Sequence, residues 1–188
     1  MSRLSVFNFL SLNGYYKGPG GDTSWHRHGA EENAYSHEML NNGSILLFGR
    51  KTYEMMRDFW PTAAGDAYDP VTAKGMNDAE KIVFSNTLQE AGWQHTRIVQ
   101  GDIVAQVKAM KREAGKDMAV LGSGSIVNLL AENGLVDEYQ LMIDPIALPT
   151  GTPAFQGITH QLELHLMDTR VFKSGTLLLR YEPKKIVS

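Results

Sequence analysis

The chain has 188 residues, 43% hydrophobic, 21% charged and 9% aromatic, with 18 Lys and Arg against 21 Asp and Glu for a net charge of -3. These globular proportions exclude collagen, low-complexity disorder and coiled coil, and the slightly acidic balance argues against nucleic acid or an anionic membrane surface as partner. The sequence has no cysteine, which excludes disulfides, thiolate metal sites and cysteine nucleophiles and fits a reducing compartment.

In chain order, Leu4–Leu10 reads as a buried first strand. Asn8 and Ser11 interrupt its apolar stretch and no small-residue cleavage site follows, so it does not read as a signal peptide. No run reaches the ~18–20 apolar residues of a membrane span, so a soluble, cytoplasmic protein is expected. Further strand-like runs follow at Ile45–Phe48, Lys81–Phe84, Thr96–Val99, Met118–Leu121 and Tyr139–Ile143. Between them, Ala30–Leu40, Tyr53–Phe59, Ile103–Arg112 and Ile126–Asn133 mix polar and apolar residues at helical spacing, and Gly134 is a helix stop. Strands alternating with helices imply a mostly parallel sheet covered on both faces. Gln161–Phe172 and Thr176–Tyr181, joined by Lys173-Ser174-Gly175, read as an antiparallel C-terminal hairpin. Gly18–Gly21, Ala63–Asn77 and Pro145–Gly157 read as long loops. Residues 1–188 are expected to form one α/β domain with a three-layer arrangement.

Two strand-to-helix turns carry chemistry. In Phe48-Gly49-Arg50-Lys51-Thr52, a strand ending in glycine and a helix starting at once expose free N–H groups and the positive end of the helix dipole. Thr52 is expected to cap that helix, and Arg50 and Lys51 add two cations, a combination that suits a phosphate; a plain turn with two solvated cations is the competing reading. In Val120-Leu121-Gly122-Ser123-Gly124-Ser125-Ile126, glycines permit close backbone approach and the serines offer hydroxyls. Val127 at the third glycine position breaks the dinucleotide fingerprint, so a tight structural turn competes there too. Together the two turns can hold a dinucleotide across the C-terminal ends of two parallel strands.

These segments, with Ile82-Val83-Phe84-Ser85-Asn86 between them, resemble the three cofactor segments of dihydrofolate reductase. Ser11-Leu12-Asn13-Gly14, the stretch from Gly18 to Trp25, and Leu135-Val136-Asp137-Glu138-Tyr139 continue the resemblance over nearly the whole chain. Ser11-Leu12-Asn13-Gly14, Phe59-Trp60-Pro61 and the serine-rich second turn are most similar to the bacterial branch grouped with the reductase domain of riboflavin biosynthesis. The resemblance implies the dihydrofolate reductase-like fold and NADPH as cofactor. It implies Gly49, Arg50, Lys51 and Thr52 at the 2′-phosphate and pyrophosphate, with Ser85 and Asn86 at the adenosine phosphate. It further implies Gly122, Ser123, Gly124, Ser125 and Ile126 under the pyrophosphate and nicotinamide ribose, and Gly18 in a mobile loop over the nicotinamide.

For the substrate, the resemblance calls for an acid on the helix after the tryptophan, to assist protonation of the reduced ring. An ungapped count from Gly49 places Asn33 there and a one-residue shift places Glu32; otherwise Glu31 and Glu32 form an acidic first helical turn facing water. The resemblance places Trp25 as a wall of the substrate pocket, with core packing as the competing reading, and Asn13 where the related branch often has Asp. Met39, Met55 and Met56 read as core filler, and His26 and His28 lack a third ligand, so no metal is expected. The implied activity is NADPH-dependent hydride transfer to a small riboflavin-pathway pyrimidine-like or pterin-like substrate. Dihydrofolate reductase proper and a non-catalytic NADPH-binding protein are the alternatives. A homodimer is expected, because the branch commonly pairs and the C-terminal hairpin offers an edge.

Overall fold

The computed structural model describes residues 1–113 and 115–184. Its strands are β1 (Leu4–Ser11), β2 (Tyr15–Lys17), β3 (Ile45–Gly49), β4 (Lys81–Phe84), β5 (Thr96–Val99), β6 (Met118–Leu121), β7 (Glu138–Asp144), β8 (Thr152–Pro153), β9 (Leu164–Val171) and β10 (Leu177–Pro183). Its helices are α1 (Ala30–Asn41), α2 (Arg50–Arg57), α3 (Ala63–Tyr68), α4 (Pro70–Asp78), α5 (Ile103–Arg112) and α6 (Gly124–Glu132). Eight strands form one sheet in the order β5-β4-β3-β6-β1-β7-β10-β9, and β2 pairs with β8 beside it. Pairing is parallel from β5 to β7 and antiparallel where β10 meets β7 and β9, as the sequence pattern implies.

The sheet is parallel because its inner strands are apolar on both faces. Every residue of β4 and β6 is buried, so each needs a helical layer above and below. Strand β1 serves both layers by alternation. Leu4 and Val6 pack with Val107 of α5 and Val127 and Leu130 of α6, while Phe7 packs with Tyr35, Met39, Tyr53 and Met76 of α1, α2 and α4.

The stretch Ala63–Asn77 is not a loop but two helices. Asp69 caps α4, accepting from the N–H groups of Val71 at 3.0 Å and Thr72 at 3.2 Å, with Pro70 in the first turn. Gly65 obscures the pattern because it is needed for contact: a Cβ there would lie 2.7 Å from the Phe59 carbonyl oxygen. Other boundaries shift as well. Helix α2 starts at Arg50, α6 starts at Gly124, and the loop Pro145–Gly157 contributes β8 to the β2 pairing.

Lys81 opens β4 yet is only 1% exposed. Its ammonium donates to the carbonyls of Met76 at 2.8 Å, Asn77 at 3.1 Å and Ala79 at 2.6 Å, groups left open at the end of α4, and it lies 4.5 Å from the Trp93 ring centroid. Burial lowers its pKa from 10.5 to about 8. Between those values the unfolded chain holds a proton that the folded protein has released, so this group's contribution to stability rises with pH across that window. The difference in unfolding free energy between wild type and Lys81→Met should therefore grow from pH 8 to 10.5 in urea titrations. The variant should also be less stable throughout, because three carbonyls lose their donor.

Candidate active site

Strands β3 and β6 are neighbours, so the two glycine turns lie side by side at one edge of the sheet. The Gly49 N–H donates to Ser123 Oγ at 3.0 Å, tying the turns together. Gly49, not Thr52, is the N-cap residue of α2. Thr52 sits within the first turn, buried, and its methyl would lie 3.3 Å from a Cβ at Gly122. Gly122 (φ +58) and Ser123 (φ +52) are both left-handed, a conformation unfavourable for serine, and the bond to Gly49 holds Ser123 in it. A Cβ on Gly124 would meet the Tyr16 ring at 2.6 Å.

Cations ring this edge. Arg50 is partly exposed and pairs with Glu54 at 3.3 Å. Lys51 is exposed, and its charge together with burial lowers the pKa of Lys17, burial contributing more. Ser85 and Asn86 brace the loops after β4: the Ser85 hydroxyl oxygen accepts from the Leu88 N–H at 3.0 Å, and Asn86 Oδ1 accepts from Gly101 at 2.9 Å. Gly18 is buried and donates to the Asp22 carbonyl at 2.8 Å.

A cavity of about 700 Å³ opens beside the second turn, with Thr52, Leu121 and Gly122 on one wall and Tyr16 and Lys17 beside them. Strand β1 forms part of its floor. Pairing of β1 with β6 ends at Phe7↔Leu121, whereas pairing with β7 continues to Ser11↔Asp144, so the peptide groups of β1 beyond Phe7 have no strand on the cavity side. Asn8 lines the cavity too, and its Oδ1 is buried without a partner. The opposite wall holds Met55, Met56, Phe59, Trp60 and Tyr68. Met55, at 41% exposure, is cavity lining and not core filler; the half-buried Met56 and the buried Met39 both line the cavity and pack with the core.

The two readings of the acidic turn separate here. Asn33 lines the cavity; Glu32 does not. Glu32 is 2% exposed, so it does not face water either. Its carboxylate accepts from the Ser174 hydroxyl, and Glu31 accepts from the Lys173 N–H at 2.8 Å, so the pair anchors the β9–β10 turn. Asp144, fully buried, accepts from the Thr176 hydroxyl at 2.8 Å, and burial raises its pKa. His26 lies parallel to Phe9 at 4.8 Å, and burial holds it neutral with a pKa of about 4. His28 meets Tyr68 edge-on at 5.5 Å, and burial lowers its pKa as well. Among the described residues no cluster of three or more His, Cys, Asp or Glu is placed to hold a metal.

Asn13 and Trp25 stand away from the cavity wall. The Asn13 amide clasps the backbone of Leu148, donating at 2.8 Å and accepting at 3.1 Å, and the Trp25 indole donates to the Asp22 carbonyl at 3.1 Å. Sequence reasoning missed Tyr16 and Tyr68. Tyr68 reaches Trp60 and Phe59 only because α3 folds back over them, and the Asp69-Pro70 cap was the one local signal for that segment.

A covered parallel sheet with an antiparallel edge, and two joined glycine turns at its C-terminal end, define an α/β protein of the dihydrofolate reductase-like class. The RibD C-terminal domain family matches residues 3–178, and the chain belongs to that family. The uncharacterized protein YyaP of Bacillus subtilis is 27% identical over 172 residues, covering 92% of this chain and 90% of its own. A solved pyrimidine reductase-like protein of Corynebacterium diphtheriae superposes with a TM-score of 0.67 at 12% identity, covering 98% of this chain and 93% of its own. The diaminohydroxyphosphoribosylaminopyrimidine deaminase/5-amino-6-(5-phosphoribosylamino)uracil reductase of Thermotoga maritima gives 0.71 at 13% identity, covering 97% of this chain and 57% of its own.

The tie between the turns can be tested by stability. Ser123→Ala loses the bond to Gly49 and keeps a left-handed Cβ, so it should cost about 1–2 kcal/mol. Ser123→Gly loses the same bond but sheds that strain, and should be more stable than the alanine variant by roughly 1 kcal/mol in urea unfolding.

Proposed function

We propose that this protein is an NADPH-dependent reductase that transfers a hydride to a small heterocyclic or carbonyl substrate. The observation that carries the reading is the junction of the two turns, Gly49 N–H on Ser123 Oγ, beside a cavity large enough for a nicotinamide ring and a second ring. The residues fit the cofactor. Gly122 and Gly124 let the second turn pack closely against Thr52 and Tyr16 at the cavity wall, and helices α2 and α6 both start at the two turns. Arg50, Lys51 and Lys17 supply counter-charge for phosphates. The peptide groups of β1 past Phe7 lie where a carboxamide could complete their hydrogen bonding. The bound dihydronicotinamide supplies the hydride, and the chain's part is to position it and exclude water.

Two cations at the first turn favour the extra phosphate of NADPH over NADH. A charge-assisted bond there is worth on the order of 1.5–3 kcal/mol, so about tenfold or greater preference is expected, falling with salt. Titration calorimetry of both nucleotides on wild type and Arg50→Ala reads this. Equal affinities in the wild type contradict the assignment.

We also propose a homodimer through the β9 edge. Strand β9 ends the sheet with Leu166, Met167 and Val171 exposed, Val171 at 73%. Light scattering at micromolar concentration should give twice the mass of one chain, and Val171→Lys should shift the population toward the monomer.

A further inference from the structure

We infer that the acceptor reduced in this cavity is an uncharged, flat, conjugated dicarbonyl ring of the quinone class; this deepens the reductase reading and rests on it. The first ground is the charge of the walls. Among the described residues no Asp, Glu or Arg lines the cavity, and Lys17 is its one lining cation, standing on the side of the turns beside Lys51. A ribose phosphate or a carboxylate tail laid against the opposite wall would meet rings and thioethers and, among the described residues, no cationic side chain, which is unfavourable.

The second ground is shape. Phe59 and Trp60 meet edge-on with centroids 5.0 Å apart, Trp60 and Tyr68 at 6.3 Å, and His28 closes on Tyr68 at 5.5 Å. With Met55 and Met56 beside them, these rings make an apolar wall that receives a flat conjugated ring by aromatic and sulfur contacts.

The third ground is the proton inventory. Reduction of a pterin calls for an acid at the reacting nitrogen, and here α1 presents Asn33, an amide that cannot release a proton near neutral pH. Asn33 lines the cavity, and its side-chain amide has no hydrogen-bond partner among the described residues; the neighbouring Ser36 hydroxyl already donates to the Glu32 carbonyl at 3.1 Å. An amide N–H suits an acceptor whose hydride adduct is an oxygen anion stabilised by aromatisation, because it donates a hydrogen bond to that oxygen without giving up its proton. The quinone takes a hydride from the reduced nicotinamide, which is left oxidised; the ring gains two electrons, one proton comes from water, and hydroquinone leaves.

The test has a binding arm and a turnover arm. A naphthoquinone is titrated into the cofactor-free protein while tryptophan fluorescence is followed, and NADPH oxidation is then measured with that quinone, with 5-amino-6-(5-phosphoribosylamino)uracil and with dihydrofolate. The quinone should quench at micromolar concentration and be reduced, and the two charged substrates should do neither. Met56→Glu should weaken quinone quenching and raise its KM about tenfold or more, with calorimetric NADPH affinity unchanged. Asn33→Asp should lower kcat for the quinone about tenfold at neutral pH, because a carboxylate repels the developing oxygen anion.

NADPH binding with reduction of the phosphorylated pyrimidine, and no quinone binding, would overturn this inference and leave the reductase reading intact. Quinone quenching that is indifferent to Met56→Glu would overturn it as well. Failure of NADPH to bind, with no oxidation by any acceptor, would defeat the reductase reading and the turnover built on it.

Discussion

The bond from the Gly49 N–H to the Ser123 hydroxyl oxygen joins two turns that are 74 residues apart in the chain. It ties the N-cap residue of α2 to the N-cap residue of α6 and occupies the Gly49 N–H at the end of β3. It also holds Ser123 left-handed at φ +52, where a residue with a Cβ is disfavoured by roughly 1–2 kcal/mol. Strain of this kind survives where neighbouring structure over-determines it: Ser123 is buried and bonded to Gly49 at the end of β3, and the next residue, Gly124, packs against the Tyr16 ring of β2.

The second constraint is the segregation of charge. Two buried carboxylates, Glu32 and Asp144, hold Ser174 and Thr176 and so fasten the β9–β10 turn to α1 and β7. The exposed cations Arg50 and Lys51 stand at the sheet's C-terminal edge. Between these zones the cavity is walled mainly by rings and thioethers, with the amides of Asn8 and Asn33 and a few hydroxyls among them. Its polar capacity therefore lies mainly on the side of the glycine turns, in the unpaired peptide groups of β1 and the orphan Asn8 oxygen, while the far side discriminates by shape.

Much of the scaffold was legible because it depends on local pattern. Runs such as Ile45–Phe48 and Met118–Leu121 are apolar without alternation, which only a strand covered on both faces tolerates, and each is followed at once by glycine. That order announces parallel strands feeding helices, and both turns could be located by it. The helices α3 and α4 were not legible as such: Gly65 and Gly75 look like loop residues but are demanded by close contact with Phe59 and Leu40. Lys81 likewise reads as a polar strand end, and only the arrival of α4's last carbonyls makes its burial tolerable.

The sequence by itself determined the parallel core, the antiparallel C-terminal edge and the position of two glycine turns, because hydrophobic period and glycine placement act over a few residues. Which of two adjacent residues on α1 faces the cavity was decided by tertiary structure alone. A helix turns 100° per residue, so Glu32 and Asn33 point to different neighbours, and the carboxylate goes to whichever side offers it donors. The β9–β10 turn, 142 residues downstream, provides the Ser174 hydroxyl, so Glu32 is buried there and the amide of Asn33 is left to the cavity.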